Sequence, residues 1–321
     1  MPILDGHDPA ALARAAQRLA EGGLVGLPTE TVYGLGARAD QDRAVAGIFS
    51  AKGRPADHPL IVHVPDVQAA QHFTPRWNDS AQRLAVAFWP GPVTLIVQRR
   101  EGIAGAAAGG HPTIGLRCPA HPVAQALLRG AAALGVAGVA APSANRFGRV
   151  SPTLAAHVAD EFGTELLVLD GGPCTVGIES TIVDCSRGQP VLLRPGVLTR
   201  DRLQQVLGAP LADRDAAAPR ASGDLASHYA PSARLRLVDA RTLEKAGRPG
   251  DGVAVYSRSC PAGAAAAQWR PLPDDPALVA QQLFAVLRDF DAAGMREIWV
   301  EQPPDLPEWE GVRDRLRRAA T

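Results

Sequence analysis

The residues able to do chemistry in this 321-residue chain sit in short polar loops within its first 205 residues or so. PTETVYGLG at 28–36 sets Thr29, Glu30, Thr31 and Tyr33 beside Gly34 and Gly36. Hydroxyls bind a carboxylate or phosphate without adding charge, and glycines permit positive φ and close approach of backbone to a ligand. AKGRPADHPLIVH packs Lys52, Arg54, His58 and His63 around two prolines. A rigid basic loop running into an apolar strand suits charge-assisted bonds to phosphate oxygens, with arginine supplying a fixed fork of donors. His63, between apolar neighbours, fits a core histidine as well as a ligand. TIGLRCPAHP puts Thr113 and Arg117 on one face of a short strand, a reach of roughly 13 Å, enough to hold different parts of one ligand. APSANRFGRVSPT at 141–153 offers Ser143, Asn145, Ser151 and Thr153 as small donors and acceptors. GIESTIVD and LRPGVLT add Glu179, Ser180, Thr181, Asp184 and Arg194 at or beside strand ends, where α/β sheets bind their ligands. Glu179 and Asp184 could help hold magnesium, and Asp184 reads equally well as a cap or turn residue.

Several chemistries have no anchor. GxGxxG, Walker A, GxSxG, HExxH and the kinase HRD and DFG sets are missing, which removes the standard dinucleotide, P-loop, hydrolase, zincin and kinase readings. The four cysteines form no CxxC pair and His111 and His121 have no ligand-spaced partners, so neither a disulfide framework nor a protein-only metal site is expected. Lys+Arg and Asp+Glu are both 33, so no overall charge steers the chain to nucleic acid or an anionic membrane, and any basic site must be local. The N-terminus lacks a secretory pattern and no apolar run is long enough to span a bilayer, so a cytoplasmic protein with no membrane association is expected. What survives is a pocket for ATP, a small carboxylate, or both.

These loops need a scaffold, and 46% hydrophobic content over this length predicts two domains. Asp8 and Pro9 read as N-cap and first residue of a helix that stops at Gly22 and Gly23. Helices are expected at 41–50, 79–88, 120–130, 154–161 and 199–207. Strands are expected at 60–64, 93–97, 114–116, 166–170, 180–184 and 191–194, several following one another too closely for helical crossovers. The fold class is therefore α/β with a mixed sheet. Residues 1–208 form this first domain. Residues 209–233 carry little apolar periodicity and read as a linker or active-site lid. Residues 234–321 form a smaller strand-and-helix domain with a strong helix from Asp275 and Pro276.

Taken in order, PTETVYGLG, KGRPADHPLIVH, TIGLRCP, APSANRFG, SPT, GIESTIVD and LRPGVLT resemble the YrdC/Sua5 family, and ASGDLASHYAP with the trailing domain resembles its long Sua5 type. The resemblance implies a twisted mixed sheet around a concave basic cavity, plus a small Rossmann-like α/β domain. It also implies L-threonylcarbamoyladenylate synthesis from L-threonine, bicarbonate and ATP, with Mg2+ and release of pyrophosphate, for N6-threonylcarbamoyladenosine at position 37 of tRNA. Carried over by motif, Thr31, His63, Arg117 and Ser180 resemble the threonine-binding set. Arg54, His58, Thr113, Ser143, Arg194 and Tyr229 resemble the ATP-binding set, and Lys52 and Asn145 the family's KxR and SxN residues at the phosphates or their magnesium. Lys52, Arg54, Ser143 and Asn145 are the catalytic candidates. A downstream tRNA threonylcarbamoyl transferase complex is the implied partner, with weak or no direct nucleic acid binding. SGDLASHYAP departs from the family's PGMxxxHYxP while keeping His228, Tyr229 and Pro231. Two competing readings are weaker: a duplex-RNA module would need a broad positive stripe, and a hydrogenase-maturation carbamoyl transferase would need upstream CxxC motifs.

Overall fold

The protein was analysed as a computed structural model that describes residues 3–223, 229–246, 249–261, 263–265 and 268–320. Short β-branched runs alternate with alanine- and leucine-rich amphipathic segments through residue 213, and together they build one 11-stranded sheet. Its strands are β1 (Ile3–Asp5), β2 (Val25–Leu27), β3 (Gly34–Arg38), β4 (Ile61–His63), β5 (Val93–Gln98), β6 (Thr113–Arg117), β7 (Val139–Ala140), β8 (Leu167–Asp170), β9 (Thr181–Asp184), β10 (Val191–Arg194) and β11 (Ala212–Asp213). They lie in the order β1-β8-β2-β3-β7-β4-β6-β5-β9-β10-β11. Parallel pairs such as β4 with β6 and antiparallel pairs such as β9 with β10 make it a mixed sheet. Val62, Leu95, Leu116 and Val183 are fully buried on it. Each large apolar side chain so buried contributes about 1.5–3 kcal/mol.

Local chemistry sets the helix ends. The Asp8 carboxylate accepts from Ala10 N at 2.9 Å and starts the helix Pro9–Ala20, filling one of the unsatisfied donors of a first turn. Thr199 caps Arg200–Leu207, and Gly208 closes it in the left-handed region. The expected helix over 41–50 runs on as Asp42–Lys52, so Lys52 lies in a last helical turn and not in the following loop, and Gly53 (φ 62°) ends it. Gly34 and Gly36 also differ from expectation. Both belong to β3 and neither has positive φ; a Cβ at Gly36 would press on Leu27 and Val139. Their role is strand packing, with Gly34 alone reaching the cavity described below.

The C-terminal region forms a second, four-stranded sheet from β12 (Arg234–Val238), β13 (Val253–Ser257), β14 (Trp269–Pro271) and β15 (Glu297–Glu301), ordered β12-β15-β13-β14. All its pairings are parallel, which requires crossover connections. The Asp275-capped helix Pro276–Ala292 buries Val279, Leu283, Leu287 and Phe290 against it. Loops of the first domain share a core with the second sheet and its helices. Val32, Val150, Ile178 and Tyr229 cluster with Leu283, Phe284, Val312 and Leu316. Gly177 (φ 81°) lets its loop approach the helix backbone so closely that a Cβ would collide with Ala280 and Gln281. The connecting segment is partly ordered by pairing: β11 adds to β10, and Ala230 bridges to Arg149. His228 lies outside the described residues. Among the described residues no helix is long and apolar enough to cross a membrane.

Candidate active site

The candidate residues gather at one end of the strands in the middle of the large sheet and of the neighbouring β9 and β10. His63 and Arg117 end the parallel strands β4 and β6 in direct register. Arg194 ends β10 next to the start of the antiparallel β9, which Ser180 precedes. The loops 28–33 and 141–145 close the other side. Gly34 bridges to Ser143, Leu35 N donates to Pro142 O at 2.8 Å, and Ala144 N donates to Tyr33 O at 2.8 Å. The cavity between them, about 50 Å³, is lined by Thr31, Arg54, His63, Arg117, Ser143, Ser180, Arg194 and Tyr229 together with Thr29, Val32, Ile61 and Ala141. Eight candidates from six separate motifs and the connecting segment therefore face one space.

Its three guanidinium groups are held differently. Arg117 is ion-paired with Glu30 at 2.7 Å and donates to Thr31 Oγ1 at 2.7 Å; Glu30 also accepts from Ala120 N at 3.1 Å. The pair is buried, so Arg117 is fixed in place and largely charge-balanced. Arg194 instead donates to Ser180 O (3.1 Å), Ser180 Oγ (3.2 Å) and Ser222 O (2.9 Å). Arg54 donates to Pro59 O at 3.0 Å and lies 6.0 Å over the Phe147 ring, while its Nε is buried without a partner. No carboxylate among the described residues forms an ion pair with Arg54 or Arg194. Burial, together with their mutual repulsion in the case of Arg54, pushes the Arg54 pKa down to about 10 and lowers that of Arg194 as well. Two neighbouring cations, Arg194 buried and Arg54 partly so, without an ion-paired carboxylate are an arrangement that an anion in the cavity would relieve.

His63 is kept neutral. Burial and then the Arg117 charge push its pKa down to about 3. Neither ring nitrogen has a well-formed hydrogen bond, although the backbone of Ile61 and Val139 lies close. Ser180 Oγ is hydrogen-bonded to Thr94 Oγ1 at 2.8 Å. Tyr229 is fully buried with φ 63°, a conformation that strains a non-glycine residue by about 1–3 kcal/mol.

Four candidates stand outside the lining. The Lys52 ammonium is buried and donates to Ser143 O at 2.6 Å and to Asn145 O. Burial holds its pKa well below the usual lysine range, with the nearby Arg54 charge adding to the effect. It grips the backbone of the loop that presents Ser143. Asn145 donates to Arg146 O and Arg149 O at 2.7 and 2.9 Å, and its Oδ1 is a buried oxygen without a partner. The His58 ring meets Phe147 edge-on at 5.5 Å, so it neighbours Arg54. Thr113 begins β6, at the end opposite Arg117.

The two carboxylates considered for magnesium are already engaged. Glu179 accepts from Ser151 Oγ on one oxygen and from Arg315 Nε, at 2.7 Å, on the other. Asp184 is a turn residue, accepting from Ser186 N at 2.8 Å and Arg187 Nε at 2.9 Å. Among the described residues no cluster of His, Cys, Asp and Glu could hold a metal ion. Sequence reasoning assigned no role to Glu30 as the counterion of Arg117, and it passed over Ser222, Gly223 and Arg315. The one available signal for Arg315 was a charge on the apolar stripe of its helix, where it falls among Val312, Leu316 and Ala319.

Comparison with known proteins points the same way. Residues 17–196 match the Sua5–YciO–YrdC family, described as "Telomere recombination", and residues 198–321 match "Threonylcarbamoyl-AMP synthase, C-terminal domain". The threonylcarbamoyl-AMP synthase of Pyrococcus abyssi is 37% identical over 95% of this chain and 93% of its own length. That of Bacillus subtilis is 36% identical over 99% of this chain and 94% of its own. Among solved structures, Pyrococcus abyssi Sua5 complexed with L-threonine superposes with a TM-score of 0.86 at 35% identity, covering 96% of this chain and 94% of that one.

Proposed function

The chain belongs to the Sua5/YrdC family of threonylcarbamoyl-AMP synthases, and from that premise we propose that it condenses L-threonine, bicarbonate and ATP into threonylcarbamoyl-AMP, pyrophosphate and water. The observation that carries the reading is the convergence of Arg54, Arg117 and Arg194 on one cavity with the hydroxyls of Thr31, Ser143 and Ser180. The uncompensated charges of Arg54 and Arg194 suit a triphosphate, with His58, Thr113, Ser143 and Tyr229 completing the ATP set. Arg117, balanced by Glu30, suits the single carboxylate of an amino acid, with Thr31, His63 and Ser180 around it. Val32, Ile61 and Ala141 offer apolar surface to a threonine methyl group.

In this scheme the threonine amine adds to bicarbonate with loss of water, and the carbamate oxygen then attacks the α-phosphorus as the bond to pyrophosphate breaks. No protein nucleophile is needed. The chain contributes alignment and positive charge at the leaving group. Neutral His63 adds no competing charge at the amino-acid end. Lys52 acts by fixing the 143–145 backbone. The unpartnered Asn145 Oδ1 is a neutral oxygen of the type that would hold a magnesium ion, which when bound would supply charge neutralisation to phosphate oxygens.

Domain roles follow from the same scheme. Residues 1–208 are the catalytic domain, 209–233 a lid, and 234–321 the C-terminal domain. Ser222, Gly223 and Tyr229 line a cavity far too small for a triphosphate, so the segment opens to admit ATP and closes to keep water from the carbamate and the adenylate. The product serves a tRNA threonylcarbamoyl transferase complex in the cytoplasm.

The test is direct. Purified protein with ATP, magnesium, bicarbonate and L-threonine should release pyrophosphate only when threonine is present, and should form an adenylate carrying the mass of threonine plus CO2. Equal turnover with serine, or turnover with carbamoyl phosphate in place of threonine and bicarbonate, would overturn the substrate assignment.

A further inference from the structure

The C-terminal domain reaches the cavity through one buried side chain. Arg315, on the helix Glu310–Ala319, is completely inaccessible to solvent. Its Nε donates to Glu179 Oε2 at 2.7 Å, Nη2 to Glu179 O at 3.0 Å, and Nη1 to Pro195 O at 2.9 Å and Asp314 Oδ2 at 2.7 Å. Its guanidinium carbon lies 5.3 Å from the centre of the Tyr229 ring, which also stacks on Phe284 at 5.6 Å. Glu179 and Tyr229 both line the cavity. One arginine of the second domain thus holds two walls of a site in the first.

Stability alone is a poor reason for this arrangement. Burying an ion pair costs desolvation of both groups, and apolar residues of similar size often serve equally well or better at such positions. The neighbourhood of Glu179 offers a better reason. Glu179 is a buried carboxylate in a cavity whose chemistry calls for cations, and it lies close enough to Arg194 for each to alter the other's ionisation. Left without its partner, Glu179 would become the strongest nearby acceptor for Arg194. That would draw the Arg194 guanidinium from Ser180 and Ser222 and neutralise the charge it presents. With Arg315 on one oxygen and Ser151 on the other, each Glu179 oxygen already has a donor and its charge a partner, and Arg194 keeps its bonds to neutral oxygens.

We infer that Arg315 is a positioning residue for the nucleotide: by neutralising Glu179 and packing on Tyr229, it keeps Arg194 available to a polyphosphate. The inference rests on the assignment of Arg194 to ATP. It gives the C-terminal domain a defined part in the site: the cavity is electrostatically incomplete without it.

The closing experiment uses the full chain with Arg315→Met, Glu179→Gln and the double variant, measuring KM for ATP, KM for threonine and kcat, with thermal melting as a control. Arg315→Met should raise KM for ATP at least tenfold and move KM for threonine less than threefold. The double variant removes the unneutralised carboxylate and should bring KM for ATP back to within about threefold of wild type. Glu179→Gln alone, which removes the competing carboxylate, should raise KM for ATP several-fold less than Arg315→Met does. Lack of rescue in the double variant, or an ATP defect in Glu179→Gln as large as in Arg315→Met, overturns the inference. If Arg315→Met does not fold, Arg315→Gln takes its place, alone and combined with Glu179→Gln, and the same comparison decides. A wild-type protein that turns over without using Arg194, seen as an unchanged KM for ATP in Arg194→Gln, would instead sink the assignment on which the inference stands.

Discussion

Arg54→Ala separates a ligand-binding arginine from a structural one, because the native protein obtains so little from this side chain. Arg54 makes one hydrogen bond, to Pro59 O at 3.0 Å, and one distant contact with the Phe147 face at 6.0 Å. Together these stabilise the fold by about 1–2 kcal/mol. Against them stands the burden on its charge: a pKa pushed from 12.5 to about 10, chiefly by burial, corresponds to about 3 kcal/mol against the protonated form. Removing the side chain should therefore leave the protein no less stable, and by this balance more stable by about 1–2 kcal/mol. A lost charge-assisted bond to phosphate is larger, about 1.5–3 kcal/mol, which is a fall of about 10- to 150-fold in kcat/KM for ATP. The assay is pyrophosphate release over a range of ATP concentrations, run beside thermal melting of the same preparation. Arg54→Lys should recover only part of the loss, since an ammonium lacks the planar fork. Activity that falls only as far as the folded fraction falls, or that does not fall, would refute the reasoning.

Two further substitutions probe the frame around the site. Lys52→Met orphans the carbonyls of Ser143 and Asn145 and should lower the free energy of unfolding by about 2–4 kcal/mol in urea titration; unchanged stability with abolished pyrophosphate release would instead mark Lys52 as a phosphate ligand. His63 has a folded-state pKa depressed by burial, and then by Arg117, from 6.5 to about 3, so the unfolded chain takes up its proton first. The stability this contributes is complete above the unfolded pKa and drains away as pH falls from about 6.5 towards 3. Between pH 7 and pH 5 the wild type should lose about 2 kcal/mol more than a His63→Gln variant, and parallel curves for the two proteins would contradict it.

What could be read from the chain, and what could not, divides by sequence distance. Asp8 before Pro9, Thr199 with Gly208, and Asp275 before Pro276 announce helix ends through bonds spanning two or three residues, so each was legible. The two-residue strand β7 was not, because Val139 and Ala140 are strand only by pairing with β3 and β4 from elsewhere in the chain. Lys52 was misplaced by one turn for a related reason: nothing before Gly53 stops the helix, and the basic run around Lys52 looked like a loop. In the site the same rule operates on charge. Arg54, Arg117 and Arg194 were visible because arginine beside glycine, proline and hydroxyls is a conspicuous local pattern. Whether each arginine is balanced was hidden, since Glu30 is far from Arg117 in sequence and Glu179 lies 136 residues from Arg315. Residue type announces that a cation is present; the fold decides which cations keep their charge for a ligand. Arg117, paired inside the domain, and Arg194, protected by a residue of the other domain, have the same side chain and different electrostatic roles.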